Sequence, residues 1–308
     1  MNKFKTAVLP AVLSVSVLGL AACGNNNGET LITSKAGDVS SANVIDQLGK
    51  DEVAKTAFQI LITDILKDKY GKKVDEDKIK KDVDAEVKKY GGKKQFESIL
   101  QQQQAGMTIA KYKESRINDA YQKKLMEETV KVSDADLKKN AKKASHILIK
   151  IKSSSDPSGL TADKAKAKAE EVLQEVKAHP EDFAKIAKKE SGDTGSKAAG
   201  GSLGYVVKGQ TVEAFENALF KLKEGEMSGL VKSDYGYHII KADKQDDFDK
   251  KKADLKDQVR QAKVQNNPQV MIDAYKKLLK EYNVDYKDKD IKKVVEEQIL
   301  TASSAQQQ

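Results

Sequence analysis

A change of period limits the fold more than any other feature of the chain. From about Glu29 to Lys143 apolar residues recur three and four apart: Phe58, Leu61, Ile62, Ile65 and Leu66, then Ile79, Val83, Val87 and Tyr90, then Ile109, Tyr112, Ile117, Tyr121 and Leu125. That spacing lines one face of an α-helix each time. At Ala144 the helical period stops. ASHILIKI is a β-branched run of strand length, closed by the turn-forming SSSDPSG, and GLVKS and YGYHIIKAD later repeat the strand signal. From Asp246 the helical spacing returns, with Phe248, Leu255, Val259 and Ala262, then Met271, Ala274, Leu278 and Tyr282. The expected class is α+β: a small antiparallel sheet with surrounding helices, inserted in a mainly helical domain built from the N- and C-terminal segments.

Inside the central block the elements can be placed one by one. Ser133 is the N-cap of a short helix with an acidic first turn. TADKAKAKAEEVLQEVKAH is a helix capped by Thr161, and Pro180 opens another where its missing N–H costs nothing. SGDTGSKAAGGSLG, residues 191 to 204, carries five glycines and is expected to be loop. TVEAFENALFKL is expected to be a helix capped by Thr211 that buries Phe215, Leu219 and Leu222. His179, in KAHPED, reads as an exposed residue at a helix start.

The start of the chain bears on compartment. Lys3 and Lys5 precede an uncharged run from Thr6 to Ala22 that ends in LAAC, at the only cysteine. The run is short and polar sequence follows at once, so it reads as a secretory signal rather than a membrane span. LAAC resembles a bacterial lipobox, which implies that Cys23 becomes a lipid-bearing N-terminus, with GNNNGETLITSKAG as a polar tether. Two or three acyl chains make such an anchor stable where one does not. The expected divisions are a signal peptide over 1–22, a helical lobe over 23–143, the α+β unit over 144–243 and a C-terminal helical segment over 244–308 that packs with the first lobe. Neither GxxxxGK[ST] nor GxGxxG occurs, so no nucleotide cofactor is expected.

A formal net charge of +8 invites a nucleic-acid reading, but nearly all the positive charge is lysine. Arg116 and Arg260 are the only arginines, and the lysines alternate with acids as in KIKKDVDAEVKKY, the pattern of a solvated helix face. No nucleic-acid partner is expected.

Three histidines occur in 308 residues. His146 and His238 each lie near the start of an apolar strand, with a glycine-rich loop between them. A single histidine on such a strand is usually a satisfied core residue, whereas two in matching frames can face each other if the strands pair. Metal ligation by His146, Asp193 and His238 is the competing reading, but no HxxxH or CxxC spacing supports it, and no metal is expected. A serine hydrolase lacks its GxSxG elbow.

The text ASHILI, then FAKIAKKESGDTGSKAAGGSLGYVVKGQTVEAFENALFKLKEGEMSG, then VKSDYGYHII, resembles the parvulin-type peptidyl-prolyl isomerases. FESILQQQQAGMTIAKYKESRINDAYQKKL and VKVSDADLKK are similar to the helical chaperone lobe of the PrsA-type foldases, lipid-anchored on the extracellular face of the Gram-positive cell membrane. The resemblance implies a parvulin-like fold and isomerisation of X–Pro bonds. It puts the paired histidines on His146 and His238, the acidic or thiol position on Asp193, the proline-holding floor on Leu203 and Phe215, and the hydroxyl positions on Ser233 and Tyr235. Thr211 stands where the family usually has Met, which makes that side of the pocket less apolar. Implied partners are unfolded or partly folded secreted proteins, the membrane through Cys23, and a second copy through the helical lobe. The alternative reading is a holdase that uses the isomerase fold only as scaffold.

Overall fold

The computed structural model describes residues 28–153 and 157–301. The signal peptide and Cys23 lie outside the described residues. The chain divides into two units, residues 1–54 and 55–308. In the first, strands β1 (Thr30–Ile32) and β2 (Val39–Ser40) pair antiparallel, and Ser40 caps helix α1 (Ser41–Leu48) with a reciprocal Ser40–Asn43 capping box. The tether expected over this stretch therefore contains a short hairpin. Glu29 and Ser41 tie it together: the Glu29 N–H donates to Ser41 Oγ, and the Ser41 N–H returns to the Glu29 carbonyl.

The second unit opens with helices whose apolar faces follow the three-and-four spacing. Helix α2 (Lys50–Tyr70) crosses into it and contributes Ile62, Ile65, Leu66 and Tyr70 to a core shared with Ile117, Tyr121 and Leu125 of helix α5 (Ile109–Thr129). Between them, helices α3 (Glu76–Lys89) and α4 (Lys93–Gln103) bury Val83, Val87, Phe96 and Leu100 against each other. Tyr90 is the C-cap of α3 and half exposed, lying against Phe96 instead of continuing the buried stripe. Helix α6 (Asp134–Asn140) begins at Ser133 with a full capping box to Asp136.

Four antiparallel strands form the main sheet, in the order β4 (Ser202–Val207), β3 (Ala141–Lys150), β6 (Gly236–Ala242), β5 (Val231–Ser233). Three of these are the β-branched runs read from sequence. The fourth, β4, starts inside the stretch expected to be loop: Gly201 takes positive φ at the turn into it, Gly204 takes positive φ at a register shift within it, and Tyr205, Val206 and Val207 then pair with β3. Strand β3 also begins three residues earlier than expected, at Ala141, because β4 offers it partners there.

The faces of the sheet alternate as strand geometry requires. Ile147 and Ile149 of β3 and Ile239 of β6 point to one side, where helices α7 (Ala162–Ala178) and α8 (Phe183–Glu190) supply Ala165, Ala169, Val172, Val176, Phe183 and Ile186. Ala144, Ile240 and Ala242 point to the other, against Phe215 and Leu219 of helix α9 (Glu213–Lys221). Val212, not Thr211, is the N-cap of α9. The Thr211 hydroxyl caps nothing: it is buried and has no hydrogen-bond partner among the described residues.

Helix α10 (Phe248–Asn266) joins the sheet to the helices. Its Leu255, Val259 and Ala262 share a core with Val132, Leu137, Ala141 and Val207. Helix α11 (Gln269–Glu281) returns Leu278 to the core of α2 and α5, and helix α12 (Lys289–Val294) runs into one π-helical turn. Among the described residues, no helix is long and apolar enough to cross a membrane.

Candidate active site

Register decides which side chains meet. Strands β3 and β6 pair with His146 opposite Ile240 and Leu148 opposite His238. The two histidines are therefore diagonal neighbours on one face, within reach of each other's rings. Two residues at the starts of antiparallel strands would ordinarily sit at opposite ends of the pair. They meet here because the β3–β6 ladder is short, from Ala144 opposite Ala242 to Lys150 opposite Gly236, so a residue two places in from each end falls beside the other.

The rings lie 5.5 Å apart, nearly parallel, with Nδ1 facing Nδ1 at 3.3 Å. Phe215, one turn into α9, stands edge-on to both, 5.5 Å from His146 and 5.4 Å from His238. Both imidazoles are about 95% buried, at 6% and 5% exposure. Each outer nitrogen has one partner: His146 Nε2 contacts Asp193 Oδ2 at 2.8 Å, and His238 Nε2 contacts Ser233 Oγ at 2.7 Å.

The electrostatics of the two ends differ. Burial, with a smaller push from the neighbouring His146 ring, lowers the His238 imidazole to about 4 against an opposing pull from Asp193. His238 is neutral at pH 7. Burial of the Asp193 carboxyl works to raise it, but hydrogen bonds from Ser196, His146 and the Gly195 N–H outweigh this together and hold it at about 2. Asp193 is a fixed anion, its side chain 28% exposed at the edge of the buried pair. The Asp193 carboxylate can only accept, so His146 Nε2–H donates to Oδ2, and a Ser233 Oγ–H that donates to His238 Nε2 leaves His238 Nδ1–H to donate to His146 Nδ1.

The other sequence-predicted residues distribute unevenly. Leu203 is partly buried against the cluster that contains Phe215. Ser233 joins the histidine chain directly. Tyr235 is 62% exposed; its backbone N–H donates to Ser233 Oγ and its carbonyl accepts from Ile151, while its ring stays in solvent. Thr211 makes no hydrogen bond to the network. His179 is exposed at the end of α7, its Nδ1 3.6 Å from Glu181.

Three further residues at the site went unread in the sequence. Ser191 and Ser196 are both buried and both bond to Asp193; their signal was present in SGDTGS, where hydroxyls flank an acid at turn spacing. Gly201 is the third. Its carbonyl accepts the His146 N–H at 2.8 Å, and a Cβ there would lie 2.2 Å from the His146 carbonyl oxygen. Its φ of +83° also favours glycine.

Comparison with known proteins follows the same lines. Residues 127–246 match the PPIC-type PPIase domain. A foldase protein PrsA of Staphylococcus epidermidis is 54% identical over all of this chain and 94% of its own length. One from Staphylococcus aureus is 50% identical over all of this chain and 96% of its own. The crystal structure of foldase protein PrsA from Streptococcus pneumoniae, 22% identical, covers 87% of this chain and 98% of that one with a TM-score of 0.54, which speaks to the fold. The chain belongs to the family of PrsA foldases, peptidyl-prolyl isomerases of the PPIC type.

Proposed function

We propose that His146, His238 and Asp193 form the isomerase centre, with Phe215 and Leu203 as the apolar floor for the proline ring and Ser233 as the outer anchor of His238. Rotation about an X–Pro bond has a barrier of about 20 kcal/mol because amide resonance must be lost. No bond is cleaved, so neither nucleophile nor cofactor is needed. An apolar floor strips water from the planar amide, and fixed polar groups favour the twisted state, in which the nitrogen gains lone-pair character.

The contact that carries this reading is the buried His146–His238 pair set edge-on to Phe215 with an ionised Asp193 at its rim. The histidines are too buried to be the main contacts to substrate. Their role is to hold the tautomers and so orient Asp193, whose carboxylate acts on the polar side of the twisting amide. In the mature chain, Asp193→Ala is expected to slow isomerisation of a short proline peptide roughly tenfold to a hundredfold, the range for one charge-assisted contact, with the far-UV spectrum unchanged. An unchanged rate removes Asp193 from the mechanism.

The remaining organisation is proposed on the same footing. Residues 1–22 are a signal peptide and Cys23 is the lipid-bearing N-terminus on the outer face of the cell membrane. The helical lobe over 23–143, completed by 244–308, holds unfolded or partly folded secreted chains and pairs with a second copy, while 144–243 isomerises their X–Pro bonds. The core shared by α2, α5 and α11 supports joining the two helical segments.

A further inference from the structure

Asp193 sits in a loop that contains three glycines within eight residues on its C-terminal side, Gly195, Gly200 and Gly201, yet every polar atom of its backbone and side chain is engaged. We infer that Ser191 and Ser196 are positioning residues for the isomerisation, a two-part clamp in which one serine grips the backbone of Asp193 and the other its carboxylate. This rests on the reading of Asp193 given above and assigns the groups that keep its carboxylate in place.

The two serines have 1% and 3% of their surface exposed, uncommon for a residue type usually found outside. Burial of this kind is tolerated only when the hydroxyl is bonded. Ser191 Oγ accepts two backbone N–H groups at 3.2 Å, that of Asp193 and that of Leu148, two residues beyond His146 on β3. The loop is thereby pinned to the strand that carries the histidine.

Ser196 acts at the other end. Its hydroxyl donates to Asp193 Oδ2, the same oxygen that accepts from His146 Nε2, while Oδ1 takes the Gly195 N–H at 3.2 Å. The Ser196 carbonyl accepts the N–H groups of Ala199 and Gly201, each at 2.9 Å, and the Gly201 carbonyl accepts the His146 N–H. One serine thus ties the Asp193 carboxylate to the turn that also holds the His146 backbone, so both sides of the His146–Asp193 bond share a reference point. With Oδ2 doubly occupied and Oδ1 bound once, Oδ1 is the oxygen with spare acceptor capacity for a substrate group.

The test uses the mature full chain and three measurements on Ser196→Ala: proline-peptide isomerisation, its division into kcat and KM, and the 15N resonances of the His146 ring. Losing one hydrogen bond to a charged acceptor is expected to lower kcat about tenfold with KM within about twofold. The His146 resonances are expected to move from a single Nε2–H tautomer toward a mixture, a change that mere loosening of the loop does not produce. Ser196→Thr, which keeps the hydroxyl, is expected to restore kcat to within about threefold of the parent. Parent-like kcat and unchanged ring resonances in Ser196→Ala overturn the clamp. If Ser196→Ala does not fold, the near-isosteric pair Ser196→Thr and Ser196→Val carries the test, and equal activity in the two overturns it. Asp193→Ala separates the two readings: full activity there removes the role of Asp193, while the His146 resonances of Ser196→Ala still report on the clamp.

Discussion

Neutral His238 makes stability depend on pH in a window that few other groups occupy. Its imidazole titrates near 6.5 when unfolded and at about 4 in the fold. The depression of about 2.5 units is worth about 3 kcal/mol at 1.36 kcal/mol per unit. The sign follows from which state binds the proton first. As pH falls below 6.5 the unfolded chain takes up a proton that the folded chain refuses, so stability is complete above 6.5 and is lost as pH falls toward 4. The limiting slope is about 1.4 kcal/mol per pH unit. Asp193, held at about 2, gives its full stabilisation above its ordinary value of 3.8 and loses it only as pH falls from there toward 2, outside this window. The perturbation is His238→Gln, whose amide can still face both His146 Nδ1 and Ser233 Oγ without titrating. Urea unfolding of the mature parent and variant, followed by far-UV circular dichroism, is to be run at half-unit steps from pH 7 to 4.5. The parent is expected to lose about 2 to 3 kcal/mol more than the variant across that range, since groups shared by both cancel in the difference. Parallel curves refute the assignment of a buried, neutral His238.

Two other perturbations test separate links. Gly201→Ala forces a non-glycine residue to positive φ and drives a methyl into the His146 carbonyl, whereas Gly204→Ala, at φ +67°, meets nothing within 4 Å. The second is expected to cost about 1–2 kcal/mol from backbone strain alone, and the first about 1 kcal/mol more through the lost His146 N–H bond. Equal urea midpoints show that the close approach does not matter. Cys23→Ser is expected to move the chain from the membrane fraction into the medium, where sedimentation should give the mass of a dimer. Retention in the membrane fraction refutes the lipid anchor, and a monomer mass refutes pairing through the helical lobe.

What the sequence makes legible divides along physical lines. Helices α2, α3 and α5 are readable because their cores are single stripes of Ile, Leu, Val and Tyr at helical spacing, and such burial is local in sequence. Strands β3 and β6 are readable for the same reason, through their β-branched runs. Strand β4 is not: Ser202, Leu203 and Gly204 carry no strand preference, and the strand forms there only through an irregular pairing with β3 in which Gly204 takes positive φ. Thr211 shows the limit of capping rules, since its threonine type fits an N-cap while the N-cap of α9 falls one residue later, at Val212. At the site, His146 and His238 stand out because titratable rings on apolar strands are rare, and Asp193 because a named family pattern points to it. Ser191, Ser196 and Gly201 do not stand out. Their importance lies in hydrogen bonds and a backbone approach between segments far apart in sequence, from 43 residues for Leu148 and Ser191 upward, which no local period encodes.

Strand β3 belongs to two cores at once. Ala141 lies among Leu137 of α6 and Leu255 and Val259 of α10, and five residues later the same strand presents His146 to Phe215. A cut at the change of period near Ala144 would sever this strand and strand Val207 without its cover. A segment that keeps β3 together with both of its cores runs from before Ser133 to the far end of α10. The strand, and not the turn in composition, is what the two cores have in common.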